Sequence, residues 1–517
     1  MTAVREAEPL SGLPLALLTL ALPLATFMQV LDTTIANVAV PTVAGNLGAS
    51  ASQGTWVITS YSVANAVILP VSGWLSKRFG EVRLFLISTA LFSLMSFFCG
   101  VASDLTSLIV FRVLQGTAGG PMMPLAQSLL LNAYPRKRRN MAIALWSMTV
   151  SVAPVFGPML GGYISDNHHW GWIFLINIPI GILVLVLVWR LLGQRETPVA
   201  RVPFNVVGFS LLAIGVGSFQ MMLDLGKELD WFNSSAIVAL AVAAMVGICL
   251  LVVWELNSPS PLVDFRLFSS RNFSIGVLCI SLGMMIYLGT VVLLPLLLQT
   301  RFGYTATLAG IVSSPIGIFP IFLAPLIGRY AHKVDLRLFI SFSFLIFAFC
   351  MYLRAGFSPG IDLRFVIVPQ ILQGIALALF FTPLTALSFA GLHSSQMANA
   401  AGLFNCIRTL FGAIGASVAT TLWERREAWH HVRLSGYITP YNPMASDFLE
   451  QLRHIGLSPE QSAALLAREI TNQGFILAAA EIYQLCALAF LFMIGLVWLA
   501  ERGRTGARAQ TSPATGE

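Results

Sequence analysis

Charged side chains are scarce in this chain of 517 residues, since they make up 10% of it against 56% hydrophobic residues. A set of soluble domains needs more charge than that on its surfaces, so the composition excludes one. Cysteine is scarce too: all six lie within apolar runs, where they behave as small apolar residues. No disulfide framework is expected. The remaining feature, a series of long apolar runs, predicts an all-α polytopic membrane protein.

Residues that could assemble a catalytic centre are also lacking. The seven histidines are expected in loops, and no apolar run contains a nucleophile, acid–base or metal-binding constellation. A phosphate-binding loop would end in Gly-Lys-Ser/Thr, whereas Gly226 and Lys227 are followed by Glu228. We therefore expect neither enzymatic activity nor a cofactor.

Fourteen apolar runs are long enough to cross a bilayer core of about 30 Å as α-helices. They span residues 14–38, 55–75, 84–101, 105–131, 141–163, 172–192, 205–223, 235–254, 273–298, 308–328, 338–355, 365–390, 398–422 and 474–500.

Basic residues outnumber acidic ones by 30 to 23, a net charge of +7, and their positions indicate the orientation. Most lie in the segments on the same side as the N-terminus, where Lys77, Arg78, Arg138 and Arg139 are found. Cytoplasmic loops are enriched in Lys and Arg, so both termini are predicted to be cytoplasmic. Because the charge is spread around helix ends and forms no continuous patch, nucleic-acid binding is not expected.

Two sequence patterns occur twice. Residues 70–85 read PVSGWLSKRFGEVRLF and residues 325–339 read PLIGRYAHKVDLRLF, while VLQG at 113–116 returns as ILQG at 371–374 at nearly the same offset. Repeated halves are how secondary transporters are commonly built. Since the second copy comes eight helices later, two additional spans separate two six-helix halves, a 6+2+6 arrangement.

The repeat divides the chain into five predicted parts. They are a cytoplasmic N-terminus (1–13), an N-terminal six-helix bundle (14–192), two inserted helices with flanking loops (193–272), a C-terminal six-helix bundle (273–500) that includes a periplasmic loop (423–473), and a cytoplasmic tail (501–517).

Ionisable residues inside the apolar runs are few. Each costs roughly 2.5 to 3.5 kcal/mol on insertion scales, so each is a functional candidate. Asp32 and Arg112 lie at similar depths in the first and fourth runs and could meet. Burial favours the neutral form of a carboxyl and a neighbouring arginine favours the charged form, so a conformational change could bind or release a proton at Asp32. The alternative is a static ion pair. Arg408 is expected to snorkel to the cytoplasmic end of its helix, and Glu481 to lie at the outer interface.

The fifth run contains Gly157, Pro158, Gly161 and Gly162. Proline removes a backbone donor, and glycine lets helices approach closely. The segment is either a kink that serves packing or a moving seam between the halves. Sequence physics alone leaves both possibilities open.

These motifs resemble those of the fourteen-helix drug/proton antiporters of the major facilitator superfamily, close to the EmrB-type multidrug exporters of Gram-negative bacteria. The resemblance covers nearly the whole chain. Residues 31–41, LDTTIANVAVP, are similar to the family's first-helix signature, 112–116, RVLQG, match its fourth-helix motif, and 157–162, GPMLGG, match its fifth-helix antiporter motif. Residues 170–174, WGWIF, together with Asn177, are typical of the fourteen-helix group.

The resemblance implies the major facilitator fold and the export of hydrophobic toxic compounds across the bacterial inner membrane, driven by the proton gradient. It implies that Asp32 and Arg112 couple transport to protons. It also implies an EmrA-like periplasmic adaptor and a TolC-like outer-membrane channel as partners, besides hydrophobic drug-like substrates, protons and the lipid bilayer. The alternative is a proton-coupled importer on the same fold, which the antiporter motif disfavours. The residues given a gating role are Gly157, Pro158, Gly161, Gly162, Gly73 and Arg78.

The loop after the second run departs from the superfamily's pattern. It has Ser76 in place of the usual alanine, and Lys77 in place of an aspartate that normally helps to latch the cytoplasmic side. That latch cannot be carried over to this chain, while Gly73 and Arg78 keep their candidate gating role.

Drug specificity is expected from a roomy apolar cavity. Flexible thioethers fit many shapes, so methionines are candidates for its lining, although ordinary packing is the alternative for each. The predicted lining residues are Met28, Asn37, Gln115, Met122, Met123 and Met284.

The predicted periplasmic loop contains a second pattern. Ser458 and Pro459 resemble a helix start, and Ala463, Leu466 and Ile470 follow at helical spacing. A short amphipathic helix is therefore predicted there. It either contacts the adaptor, or lies on the bilayer surface or over the pore.

Overall fold

The chain is helical throughout the parts that its computed structural model describes, residues 10–135, 138–200, 202–330, 334–393, 396–439 and 441–501, and these ranges contain no strand. The predicted N-terminal segment and tail lie largely outside them. The first helices are α1 (Gly12–Asn46), α2 (Ala51–Gly54), α3 (Trp56–Ile68), α4 (Ser72–Phe79), α5 (Glu81–Gly100), α6 (Leu105–Gly119), α7 (Met122–Ala133), α8 (Arg139–Asn167), α9 (Trp172–Leu175), α10 (Asn177–Leu192), α11 (Val206–Leu225) and α12 (Ser235–Asn257). They are followed by α13 (Arg271–Thr300), α14 (Ala306–Ser313), α15 (Ile318–Tyr330), α16 (Leu336–Ala355), α17 (Leu363–Ser388), α18 (Met397–Ser435), α19 (Pro443–His454) and α20 (Pro459–Val497).

Twelve helical segments within the described ranges are long and apolar enough to cross a membrane. They coincide with all the predicted spans except the fourth and the fifth. The fifth corresponds to α8, which has 29 residues. The fourth was predicted as one helix over 105–131, and this is wrong: α6 ends at Gly119 and α7 begins at Met122. The physical reason is Pro121, which has no backbone N–H with which to continue the helix.

The predicted loop 423–473 is mostly helical. α18 continues into it as far as Ser435, α19 occupies its middle, and α20 runs without interruption from Pro459 to Val497. The predicted helix start is confirmed: the Ser458 hydroxyl accepts from the backbone N–H of Gln461, whose side chain accepts from the backbone N–H of Ser458. The predicted short helix is therefore the first part of the last membrane segment.

Two histidines and one acid lie where these long helices extend. His430 and His431 were predicted to lie in a loop, but they belong to α18. Arg426 on the same helix donates to Glu481 of α20 at 2.7 Å, and both side chains are partly exposed. This ion pair fastens α18 to α20 and agrees with an interfacial position for Glu481.

The repeated glycines seat helices from opposite ends of the chain against each other. A Cβ on Gly73 of α4 would lie 2.8 Å from the Cα of Asn399 in α18, and a Cβ on Gly328 of α15 would lie 2.7 Å from the Cβ of Ala144 in α8. Each glycine belongs to one copy of the sequence repeat. The two contacts are therefore equivalent, and each joins the early part of the bundle to its late part.

Helices α11 and α12 form a pair next to these contacts between the early and the late helices. They touch at Gly215 and Gly247, where a Cβ on Gly247 would lie 2.7 Å from the Cα of Gly215. α11 also packs on α3 and α18, and the Ser417 hydroxyl of α18 donates to the Leu223 carbonyl at 2.9 Å. The pair thus borders helices from both ends of the chain.

Candidate functional site

A buried ion pair joins α1 to α6. Nη1 of Arg112 lies 2.6 Å from Oδ2 of Asp32, and neither side chain has any exposed surface. The other carboxylate oxygen, Oδ1, accepts from Nε2 of Gln115 at 3.1 Å and from Nδ2 of Asn177 at 2.8 Å. The sequence predicted that Asp32 and Arg112 could meet, and the structure places them in contact.

The arginine is held independently of the aspartate. Its Nε donates to the Val57 carbonyl of α3 at 3.0 Å, and its Nη1 also donates to Oε1 of Gln115 at 2.7 Å. The guanidinium carbon lies 4.2 Å from the ring centroid of Tyr61 and 5.4 Å from that of Phe174, within the range of cation–π attraction. Arg112 therefore keeps several partners if Asp32 loses its charge.

Ser96 of α5 completes the network. Its hydroxyl accepts from Gln115 at 2.7 Å and from Asn177 at 3.0 Å. The network thus ties together α1, α3, α5, α6 and α10, and its polar side chains are all buried. Burial at this depth is tolerated because each carboxylate oxygen has a donor.

Sequence reasoning missed part of this network. Asn177 was noted only as typical of the fourteen-helix group, Ser96 was not singled out, and Gln115 was assigned to the substrate cavity, although its side chain bonds to Asp32 and Arg112. An amide at the start of an otherwise apolar run was the available signal for Asn177.

The antiporter motif packs directly against the helix that carries Asp32. A Cβ on Gly157 of α8 would overlap the Thr34 side chain and lie 3.1 Å from that residue's carbonyl carbon, and one on Gly161 would lie 3.1 Å from the Ile35 carbonyl oxygen. Gly162 has open space around it, with no atom within 4 Å of a Cβ built there. The side chain of Pro158 lies outside the described part of the structure. Two of the three motif glycines are therefore required for close packing.

Gly73 and Arg78, the α4 residues predicted to have a gating role, lie with Lys77 at one end of the bundle, which we call the basic end. With its amide oxygen toward the ammonium group, Asn399 of α18 accepts from Nζ of Lys77 at 3.0 Å and donates to the Gly73 carbonyl at 3.3 Å. A lysine–asparagine contact thus occupies the place of the missing aspartate. Arg78 is exposed.

The residues predicted to line a substrate cavity do not share one site. Met28, Met122, Met123 and Met284 are buried, and Asn37 is exposed. Two apolar surface grooves of about 510 and 400 Å³ lie between α16 and α20 and between α5 and α10, and none of the predicted residues lines either groove. Two of the six contact a buried charge: Gln115 bonds to Asp32 and Arg112, and the sulfur of Met123 lies 3.1 Å from Nη2 of Arg408.

Arg408 itself corrects a prediction. It was expected to snorkel to the cytoplasmic end of α18, but it is buried, with 3% of its surface exposed. The reason is that α7, α8 and α17 surround this part of α18, so the side chain contacts other helices and not the interface.

A third buried arginine lies among the later helices. Nη2 of Arg354 in α16 donates to Gln370, at 2.9 Å, and to Gln373 of α17. Gln373 is the counterpart of Gln115 in the repeat, so a glutamine contacts a buried arginine in both places. Within the described residues Arg354 has no acidic partner. Of the two arginine clusters, around Arg112 and around Arg354, the first therefore contains the carboxylate, Asp32.

The arrangement around Asp32 places one charged and two neutral donors on a single buried carboxylate. The ion pair with Arg112 compensates the charge of this carboxylate inside the bundle. No group of three or more His, Cys, Asp or Glu side chains that could hold a metal ion occurs in the described ranges.

Comparison with known proteins gives consistent matches. A family model described as Major Facilitator Superfamily matches residues 22–416. The multidrug export protein EmrB of Haemophilus influenzae is 55% identical over 500 residues, covering 96% of this chain and 98% of that protein. The fatty acid resistance protein FarB of Neisseria gonorrhoeae is 52% identical over 493 residues, covering 95% and 97%. Among solved structures, the human organic anion transporter MFSD10 (TETRAN) has a TM-score of 0.61 at 13% identity over 94% of this chain and 100% of that one, a likeness of fold.

Proposed function

This chain belongs to the major facilitator superfamily, and from that premise we propose that it is a multi-pass proton-coupled antiporter that exports hydrophobic toxic compounds. The observation that carries the proposal is the fully buried Asp32 carboxylate, bound by Arg112, Gln115 and Asn177 in the interior of the bundle. The names of relatives at 55% and 52% identity, a multidrug export protein and a fatty acid resistance protein, support export of apolar compounds.

Proton binding at Asp32 would weaken the contact between α1 and α6. The neutral carboxyl loses its charge attraction to Arg112, while Arg112 retains its hydrogen bonds to the Val57 carbonyl and to Gln115. The guanidinium therefore stays with α3 and α6, and the contact that weakens is the one to α1. One proton thus weakens the attachment of α1 to the network, which then depends on the hydrogen bonds from Gln115 and Asn177 to Asp32.

A movement of α1 would change the packing of α8. Thr34 and Ile35, just after Asp32, are the residues on which Gly157 and Gly161 of α8 pack. α8 in turn contacts α15 and α17, helices of the later part of the bundle. A shift of α1 therefore changes the contacts between the early and the late helices, where the bundle opens and closes. In this way proton entry is exchanged for compound exit.

The energy available is sufficient. A membrane potential of about 100 mV is worth roughly 2.3 kcal/mol per charge, which corresponds to about a fiftyfold gradient for one proton exchanged against one neutral compound.

We also propose fourteen transmembrane helices arranged 6+2+6, with both termini on the cytoplasmic side of a bacterial inner membrane. The equivalent contacts made by Gly73 and Gly328 support two related halves, and the α11–α12 pair beside the seam supports an insertion of two helices. The basic end of the bundle would then face the cytoplasm, as the positive-inside rule requires.

The chain would work with an EmrA-like periplasmic adaptor and a TolC-like outer-membrane channel. The extended ends of α18 and α20, with α19 between them, form the structured part opposite the basic end. This helical extension offers a surface for an adaptor.

The test is proton release from energised everted vesicles that contain the wild-type protein or Asp32→Asn, followed with a pH-sensitive dye while hydrophobic compounds are added. Asn preserves the side chain's shape and removes its titratable charge. We expect compound-induced proton release with the wild type, and only the signal of protein-free vesicles with Asp32→Asn.

A matched control is Asp104→Asn. Asp104 caps α6, the helix of Arg112, but it lies outside the membrane-spanning segments, and the backbone N–H of Ser107 holds the pKa of its carboxyl below the usual value. Asn is an equally good cap, so this variant should behave as the wild type. Coupling retained by Asp32→Asn would contradict the assignment of the proton site, and compound uptake together with protons would establish an importer.

A further inference from the structure

A buried polar cluster lies among the late helices, outside the Asp32 network. Its centre is Arg354 of α16, whose Nη2 donates to the side-chain oxygens of Gln370, at 2.9 Å, and of Gln373, both in α17. The guanidinium carbon lies 5.9 Å from the ring centroid of Tyr483 in α20. None of these four side chains, which we call the late cluster, is more than 2% exposed. Three helices therefore enclose the cluster.

The late cluster carries a positive charge that no side chain of the described structure neutralises. A guanidinium keeps its proton in proteins. Arg112 has Asp32 as a partner at 2.6 Å, whereas no carboxylate among the described residues pairs with Arg354. A buried charge without a counter-charge is costly. A negative group from outside the chain would therefore stabilise the cluster.

The late cluster also has donors without an acceptor in the described structure. They are Nε and Nη1 of Arg354, Nε2 of Gln370, Nε2 of Gln373 and the hydroxyl of Tyr483. Both amide oxygens already accept from Arg354, so each glutamine presents its N–H groups to a further ligand. Buried donors around a cation favour an anion and disfavour a second cation.

The Asp32 network shows how an anion fits such a group of side chains. Oε1 of Gln115 accepts from Arg112 at 2.7 Å, and its Nε2 donates to the Asp32 carboxylate at 3.1 Å. Gln373, its counterpart in the repeat, likewise accepts from an arginine, Arg354, while its Nε2 has no acceptor. The glutamine bridges an arginine and an anion among the early helices. The same bridge among the late helices is completed by an anion that the chain does not supply.

The surroundings of the late cluster favour a small ion over an exported compound. All four side chains come from late helices, and α16 packs on both α17 and α20. A compound exchanged between two halves binds where the halves meet. A drug-sized ligand also needs a cavity of about 300 Å³ or more, and neither surface groove of the bundle is lined by these residues.

We propose that the late cluster binds one small inorganic monoanion, of which chloride is the common example, as a fixed counter-charge to Arg354. Nε or Nη1 of Arg354 and Nε2 of Gln373 donate to the ion, and Gln370 and the Tyr483 hydroxyl supply further donors. The ion is not transported, and it stabilises the packing of α16 on α17 and α20. This inference does not depend on the proposed export function.

The test measures chloride binding and its effect on stability with purified full-length protein. Binding of radioactive chloride is followed by equilibrium dialysis in gluconate buffer, since gluconate is too large for the cluster. We expect saturable binding of one chloride per chain, displaced by bromide. The midpoint of thermal unfolding should rise by about 2 °C or more when chloride replaces gluconate at constant ionic strength.

Two variants assign the ion to the cluster. Gln373→Glu keeps the side chain's shape and supplies a carboxylate beside Arg354, so chloride binding and the chloride-dependent rise of the unfolding midpoint should both be lost. Arg354→Gln removes the cation and should weaken chloride binding about tenfold or more, the scale of one charge-assisted hydrogen bond.

A matched control is Gln451→Glu, which makes the same substitution at an exposed position of α19. It should bind chloride as the wild type does. If Arg354→Gln does not fold, Tyr483→Phe provides the second variant, since it removes one donor, keeps the ring and should weaken chloride binding severalfold.

Three outcomes would overturn the proposal. The first is a wild type that binds no chloride and unfolds at the same temperature in chloride and gluconate, which would mean that water alone satisfies the cluster. The second is chloride binding that Gln373→Glu and the second variant both retain, which would place the ion elsewhere. The third is accumulation of radioactive chloride in vesicles by the wild type, because a transported ion is not a fixed counter-charge.

Discussion

Asp32 illustrates how a single side chain can be both stable and responsive. Its carboxylate has one charged donor, Arg112, and two neutral donors, Gln115 and Asn177. Removing the charged partner would leave a buried unpaired charge, at a cost of about 3–5 kcal/mol. Removing a neutral donor weakens the ionised state while the ion pair survives. The neutral donors are therefore the positions that can be changed while the ion pair with Arg112 is kept.

Asn177→Ala should slow compound-driven proton release without abolishing it. The variant loses the 2.8 Å hydrogen bond to Oδ1 of Asp32, while the ion pair with Arg112 remains. A hydrogen bond to a charged group is worth about 1.5–3 kcal/mol, so the rate of proton release should fall about tenfold or more. The measurement is the initial rate of proton release across a pH series.

The control for that series is Asn257→Ala. Asn257 is exposed at the end of α12 and bonds only to the Val253 carbonyl of its own helix in the described contacts. Its profile should coincide with that of the wild type. An unchanged profile for Asn177→Ala would favour a static ion pair, the alternative left open by the sequence.

At the scale of helices, the contact between α1 and α8 decides how the antiporter motif acts. The sequence left open whether this glycine-rich segment is a packing kink or a moving seam. The structure shows that Gly157 and Gly161 are pressed against Thr34 and Ile35, and that Gly162 is not pressed against any residue. The motif glycines are therefore unequal, and the difference depends on which face of α8 meets α1.

Gly157→Ala and Gly162→Ala should have opposite outcomes. A methyl at Gly157 overlaps Thr34, and overpacking of this kind costs typically 1–3 kcal/mol, so the efflux rate should fall about tenfold or more. A methyl at Gly162 meets open space, and alanine improves helix propensity by about 1 kcal/mol, so efflux should be unchanged. The measurement is efflux of a fluorescent compound, normalised to protein in the membrane.

Equal effects of the two substitutions would contradict close packing as the basis of the motif. Thr34→Gly together with Gly157→Ala removes the overlapped side-chain atoms, Oγ1 and Cβ of Thr34, and should recover part of the activity.

At the scale of the whole molecule, the two parts of the bundle touch at the basic end through both copies of the sequence repeat. Gly73 meets α18, and Gly328 meets α8. Gly402 of α18 adds a contact beside the first, since a Cβ there would lie 2.7 Å from Oγ of Ser72. Lys77 and Asn399 close the same edge. The structure therefore has its basic end closed at this seam.

Ser72→Cys combined with Gly402→Cys should trap the transporter in this closed form. The two Cβ positions are near the separation of about 3.5–4.5 Å that a disulfide requires. After mild oxidation, efflux should stop, and a reductant should restore it. The readout is efflux before and after reduction, with cross-linking followed by thiol labelling.

Each single cysteine variant provides the control, since neither should respond to oxidation. The native cysteines are free in the described structure and mostly buried, and replacing them with serine removes competing pairs. Full transport by the oxidised, cross-linked double variant would show that the basic end does not open during the cycle.

The sequence by itself determined the class of the molecule and the ion pair at the centre of its buried polar network. Apolar runs of bilayer length gave the membrane segments, and the matches to the superfamily confirm the predicted family. Asp32 and Arg112 were identifiable because a charge inside an apolar run is costly and therefore rare. The Ser458 cap was identifiable because capping depends on residues close together in the chain.

Only the tertiary structure decided which side chains meet. The roles of Asn177 and Ser96 around Asp32, the burial of Arg408 and the difference between Gly157 and Gly162 all depend on how each helix is rotated about its axis against its neighbours. Hydropathy gives the length of a helix, and when most of its faces are apolar it does not say which face is turned inward. Tertiary packing also decided that α20 continues beyond the predicted membrane boundary, because its outer turns contact α18, where the Thr471 hydroxyl lies 3.3 Å from Nδ1 of His431.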